Sequence, residues 1–231
     1  MQNPWSALPL EVGKPFVLES DREEVEKLNA KASEIHKLRL DAFPGPFMGR
    51  IDAPILLLTL NPGFVENEVV QNINDRRWNI KCLHHEEQDY PFFLLDPEIS
   101  GSEGYKWWYK RLRTLIERYD ARFLANNLLH IEFFPYPSVG AAGFHRKRVL
   151  PSQEYGFHLV REAMERKAAI ITMRSLNSWF TAIPKLESYK RCYILRNALS
   201  AYITEGNCPA GYAEIVKVLD KRYLDYQASH S

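Results

Sequence analysis

The sequence predicts an α/β protein in three layers, α/β/α, around a mainly parallel four-stranded sheet. Short apolar runs recur at Ile55 to Leu60, within Phe123 to Phe134, at Ala168 to Met173 and at Arg191 to Leu195. Between them lie segments with apolar residues every three or four positions, and such alternation builds parallel sheets covered by helices. The first run, Ile55-Leu56-Leu57-Leu58-Thr59-Leu60, has no apolar-polar alternation, as expected of a strand buried on both faces.

Each element has its own signal. Residues 1–19 carry Pro4, Pro9 and Pro15 and little periodicity, so they read as an extended arm on the body of a single domain spanning 1–231. Ser20 and Glu23 have capping-box spacing. Val25, Leu28, Ala32, Ile35 and Leu38 then form one helical stripe, ended by Phe43-Pro44-Gly45-Pro46. Residues 64–104 are rich in Asn, Asp, His and Pro and read as a long excursion with little regular structure. Tyr105 to Tyr119 is a helix with Trp108, Leu112, Leu115 and Ile116 inward. Helices are also expected over 152–167, with Tyr155, Leu159, Val160 and Ala163 inward, and over Ser175 to Ile183. A last helix starts at Pro209 and carries Tyr212, Ile215, Val216, Leu219 and Tyr223 on one stripe.

Composition narrows the function. A net charge of +1 over 231 residues excludes a uniformly basic nucleic-acid coat, but not a local patch. Residues 101–150 hold Lys106, Lys110, Arg111, Arg113, Arg118, Arg122, Arg146, Lys147 and Arg148 against Glu103, Glu117, Asp120 and Glu132. Cys82, Cys192 and Cys208 are too few for a disulfide framework and lack zinc spacing, which points to a reducing compartment and no bound metal. No signal peptide and no membrane-spanning run is legible, so a cytoplasmic protein without membrane contact is expected. Glycine patterns for dinucleotides or nucleoside triphosphates are missing.

In parallel α/β sheets ligands bind outside the carboxyl ends of the strands, so the residues there are the candidates. Asn61-Pro62-Gly63-Phe64 follows the first strand. His130 and Glu132 end the second, Arg174 and Ser175 follow the third, and Asn197 to Tyr202 follow the fourth. Asn-Pro-Gly is also a common type II turn sequence, with Pro second and Gly third, and both readings stand at this point. His130 and Glu132 have a plain alternative as paired core groups, and Trp107 and Trp108 as helix packing.

"LLTLNPGF" resembles the first active-site motif of the uracil-DNA glycosylase superfamily, in its mismatch-specific and single-strand-selective branches. "ILRNALS" is placed like that superfamily's second motif, and "YKWWYKRLRTL" like an aromatic, basic helix between the two. Thr59 stands where many relatives have Gly, and Ala198 where they have Pro.

The resemblance, from about residue 45 to 220, implies a uracil-DNA glycosylase-like fold and hydrolysis of the N-glycosidic bond of a flipped uracil or other damaged base. It implies Asn61 as holder of the attacking water and Asn197 as binder of the base or leaving anion. Pro62, Gly63, Phe64, His130 and Ser200 would contact the base, with Phe64 as its stacking face. Leu199 or Tyr202 would fill the hole in the duplex, and Arg146, Lys147 and Arg148 would grip phosphates. The expected partner is DNA, single strands included, or a free nucleotide or base. No cofactor is expected, since the iron–sulfur branches need four cysteines. The rival reading is a non-catalytic nucleotide- or DNA-binding module on the same fold; a hydrolase of unrelated chemistry on a shared α/β layout is a third.

Overall fold

A computed structural model describes residues 1–65, 69–140 and 150–230. Its centre is a five-stranded sheet: β1 (Phe47–Gly49), β2 (Ile55–Thr59), β3 (Leu128–Glu132), β4 (Ala169–Thr172) and β5 (Cys192–Ile194), in the spatial order β1-β3-β2-β4-β5. Strands β2 to β5 are parallel, and β1 pairs antiparallel with β3. The four expected strands are present, and β1 makes a fifth. Strand β1 directly follows the turn signal Phe43-Pro44-Gly45-Pro46, which hid it in the sequence. Gly49 ends it at φ +106, and a Cβ there would lie 2.1 Å from the Leu128 carbonyl oxygen, so glycine is required.

The helices are α1 (Glu19–Lys31), α2 (Arg77–Leu83), α3 (Glu103–Tyr119), α4 (Ala121–Ala125), α5 (Gln153–Glu165), α6 (Leu176–Ala182) and α7 (Pro209–His230). Alternate residues of the strands feed two cores. Leu56, Leu58, Leu129, Ile131 and Ile170 pack with Val25 of α1, Val160 of α5 and Trp179 of α6. Ile55, Leu57, Leu128 and Ile171 pack with Leu112 of α3, Leu124 of α4 and Ile215 of α7. Helices therefore cover both faces of the sheet. This is why β2 to β4 carry no polar alternation.

Several boundaries differ from the periodic reading. Helix α1 stops at Lys31, so Ala32, Ile35 and Leu38 do not continue its stripe, and Ile35 is exposed. The Asn29 amide explains the stop: Nδ2 donates to the Leu38 carbonyl at 2.9 Å and Oδ1 accepts from Leu38 N at 2.8 Å, folding the chain back. Ser20 does not cap the helix, whose N-cap is Leu18 without a side-chain bond. The excursion holds α2 and short 3-10 turns at Ile73–Arg76, Phe93–Leu95 and Pro97–Ile99. Its Phe92 and Leu95 are fully buried against α3 and α4, so it is part of the core. The N-terminal arm is anchored by buried Trp5, Phe16 and Val17. No helix among the described residues is long and apolar enough to cross a membrane.

The topology creates a switch point. The chain leaves β2 toward β3 on one side, and leaves β4 toward β5 on the other. In α/β proteins the carboxyl ends of the strands at such a point, here β2 and β4, are where ligands bind.

Candidate functional site

Asn61 follows the carboxyl end of β2. Its Nδ2 donates to the Pro62 carbonyl and to Ser138 Oγ, both at 2.9 Å. Ser138, which is buried, donates in turn to the Gly140 carbonyl at 3.0 Å. Its single hydrogen is thereby used, so it accepts from Asn61 and sets which way the amide points. Asn61 Oδ1 receives no hydrogen bond from a described residue and remains an acceptor for a ligand or water.

The segment is not a type II turn. That turn needs positive φ at its glycine, and among the described residues the positive-φ glycines are Gly13 and Gly49. Asn61-Pro62-Gly63 instead runs beside the continuation of β3. Phe134 N donates to Leu60 O at 2.6 Å, Ser138 N donates to Pro62 O at 3.3 Å, and Gly63 bridges Ser138 in parallel. Gly63 is exposed, and a Cβ built on it meets nothing within 4 Å. The fold itself does not require glycine there.

Phe64 is not an open stacking face. It is 7% exposed, and the Arg39 guanidinium covers its ring at 3.9 Å from the centroid. Arg39 is held in place by Asp41 at 2.5 and 2.9 Å.

A buried polar cluster lies one strand over. Thr59 and Glu132 are register partners on β2 and β3, and His130 precedes Glu132 by two residues on the same face. Thr59 Oγ1 donates to Glu132 Oε2 and lies 2.5 Å from His130 Nε2. His130 Nε2 is also 3.3 Å from Glu132 Oε1. With the threonine hydrogen used by Glu132, His130 Nε2 is the donor in its contact with Thr59. The side chains of His130 and Glu132 are 6% and 8% exposed. Trp108 of α3 meets the imidazole edge to face at 4.7 Å, and Trp179 Nε1 donates to the Thr59 carbonyl at 2.9 Å, locking the strand end. No Lys or Arg among the described residues pairs with Glu132. Among the described residues the Glu132 carboxyl meets the Thr59 hydroxyl and the His130 imidazole.

The loop after β5 is shaped by Asn197. Asn197 Oδ1 accepts from Leu199 N at 3.1 Å and Ser200 N at 3.2 Å, and Asn197 N donates to Asn207 Oδ1 at 2.7 Å. Asn197 thus shapes the loop, with its acceptor committed, and shares no partner with Asn61. Ser200 contributes its backbone N–H to the same turn. The turn presents Leu199, 89% exposed. Arg174 after β4 donates to the Leu199 carbonyl at 3.3 Å. Tyr202 faces α3, with the Arg111 guanidinium 5.8 Å from its ring centroid. Arg146, Lys147 and Arg148 lie outside the described residues.

Two groupings therefore stand at the carboxyl edge. One joins Asn61 with Ser138, with the Thr59–His130–Glu132 cluster a strand away. The other joins Arg174, Leu199 and Tyr202 with Arg111 of α3. Glu132 and Arg174 stood at strand ends in the sequence without an assigned role, and Arg111 was one of nine basic residues. The i, i+2 placement of His130 and Glu132 was the legible signal for Glu132, and the position after the third strand for Arg174. A separate pocket of about 650 Å³ opens at the opposite edge, lined by Arg50, Asp89, Arg122, Asn127 and Arg222 among others. Its arginines are already matched, by Asp52, Asp89 and Asn127.

The chain matches no protein-family model, and no curated protein or solved structure is detectably similar to it.

Proposed function

We propose that the chain is a base-excising enzyme of the uracil-DNA glycosylase type, hydrolysing the N-glycosidic bond of a flipped uracil or other damaged base. The observation that carries this is Asn61. Its amide is oriented by Ser138 at the switch point, with Oδ1 left for a ligand. In this role Oδ1 accepts a hydrogen from the attacking water. An amide is not a strong base, so the water must attack a sugar already carrying much positive charge. Glu132, level with Thr59 on the neighbouring strand, supplies negative charge at the same edge. Exposed Leu199 fits the wedge that replaces a flipped base in the stack.

Two observations favour the second reading, a nucleotide- or DNA-binding module without chemistry. Phe64 is covered by Arg39, and the Asn197 side-chain oxygen is committed to its own loop. The test separates the readings. Oligonucleotides carrying uracil, hypoxanthine, xanthine or a mismatched thymine are incubated with the protein and scored for abasic sites. Abasic sites that require Asn61 support the enzyme. Salt-dependent binding without abasic sites supports the module, and no binding overturns both.

A further inference from the structure

We propose that Arg111 and Arg174, set against Trp107, form a phosphate-binding subsite for a nucleic-acid strand or the phosphate of a nucleotide. The proposal rests on the nucleic-acid reading above and names which part of the ligand this corner holds.

The charge pattern of α3 is selective. Lys106 is paired with Glu103, Arg113 with Glu117, and Arg118 with Asp220, at 2.7, 2.7 and 3.0 Å. Lys110 and Arg111 have no carboxylate within reach among the described residues, and neither has Arg174. Lys110 and Arg111 are the two that face the loop after β5, at 5.9 and 5.8 Å from the Tyr202 ring centroid. Positive charge on this helix is neutralised everywhere but toward the candidate site.

Both guanidiniums converge on one indole. Arg111 lies 3.5 Å from the Trp107 ring centroid and Arg174 lies 5.8 Å from it. Two like charges over one ring repel unless an anion comes between them. Arg111 Nη1 donates to the Trp107 carbonyl at 3.0 Å, while its enclosed Nε has no partner. Burial and the neighbouring Arg174 push Arg111 down to about 10. A phosphate between the two guanidiniums supplies the missing negative charge, and a guanidinium fork suits it.

The location suits a strand. Arg174 holds the carbonyl of the exposed Leu199. Trp107 also packs on Trp108 at 4.7 Å, and Trp108 packs on His130 at the same distance. A phosphate at the arginine pair would therefore lie between the Leu199 tip and the buried His130–Glu132 cluster.

The test is the affinity of a labelled, undamaged single-stranded oligodeoxythymidine across a range of NaCl concentrations. Wild type is compared with Arg174→Gln, Arg111→Gln and the control Arg113→Gln, with circular dichroism as the check on folding. Arg174, outside the helix, keeps the test valid if Arg111→Gln does not fold. The expected result is roughly tenfold weaker binding for each of the first two. Their salt slope should fall by about 0.7 per lost phosphate contact, with Arg113→Gln unchanged. Binding of thymidine monophosphate or inorganic phosphate but no strand, lost in Arg174→Gln, assigns the subsite to a free nucleotide. Wild-type affinity and slope in Arg174→Gln overturn the proposal, as does failure of wild type to bind any of the three probes. No damaged base is present, so a protein that binds through these arginines yet never excises keeps the subsite and loses only the catalytic reading.

Discussion

Thr59 Oγ1 lies 2.5 Å from His130 Nε2 and also donates to Glu132, so one buried hydroxyl on β2 serves two polar groups of β3. Thr59→Val keeps the shape and removes that oxygen. His130 and Glu132 would then lose a partner in an enclosed site, at a cost of about 1–3 kcal/mol. Urea denaturation should show the midpoint fall with an unchanged slope. An unaltered midpoint would mean that water reaches the cluster.

Tyr136 holds the N-terminal region to the body. Its hydroxyl donates to Asp21 Oδ2 at 2.8 Å and accepts from Leu18 N at 3.2 Å, while Asp21 Oδ1 accepts from Ser152 N at 2.9 Å. Burial and the Asp21 carboxylate raise the Tyr136 phenol well above its usual range, so it stays a donor at all ordinary pH. Tyr136→Phe strips a donor from a fully buried carboxylate and is expected to cost about 1–3 kcal/mol, read as a lower urea midpoint.

Cys82 makes stability fall at alkaline pH. Burial pushes its thiol from 9.0 up to about 11. Between those values the unfolded chain loses the proton and the folded chain keeps it. The contribution is therefore complete below pH 9 and lost as pH rises through 11, with a slope of at most about 1.4 kcal/mol per pH unit. The destabilisation caused by Cys82→Ala should shrink by roughly 1 kcal/mol between pH 8 and pH 10 on the same grounds. A difference constant with pH would show that the thiol does not hold its proton.

Leu199, 89% exposed, contributes little to folding. Leu199→Ala should change stability by less than about 0.5 kcal/mol. As a wedge it is needed only where a base leaves a duplex, so its loss should slow excision from double-stranded DNA several-fold more than from single-stranded DNA. Equal effects on both substrates would remove it from that role.

What the sequence revealed follows from periodicity. Strands β2 to β4 and the long helices α3, α5 and α7 were legible because burial leaves continuous apolar runs and stripes, and β5 through the short run Cys192 to Leu195. Strand β1 was not, since Phe47-Met48-Gly49 directly follows the turn signal Phe43-Pro44-Gly45-Pro46 and adds only two apolar residues to it. The true end of α1 was hidden because it depends on the Asn29 side chain reaching Leu38, a contact no stripe records. At the site, strand ends located Asn61, His130 and the loop of Leu199. The sequence could not report that Phe64 lies under Arg39, or that Asn197 turns its oxygen back on its own loop, because both depend on side-chain direction. Arg111 was one basic residue among nine until the fold set it beside Arg174 over Trp107.

The most direct test of the central claim is the rate of abasic-site formation on a uracil-containing single-stranded oligonucleotide by wild type and by Asn61→Ala. The expected result is abasic product from wild type and a loss of at least about 100-fold in Asn61→Ala, the usual scale for removing one oriented polar group from a transition state. Equal rates for the two proteins, or no abasic product from wild type on any damaged base, would contradict the assignment of Asn61 as the residue that holds the attacking water.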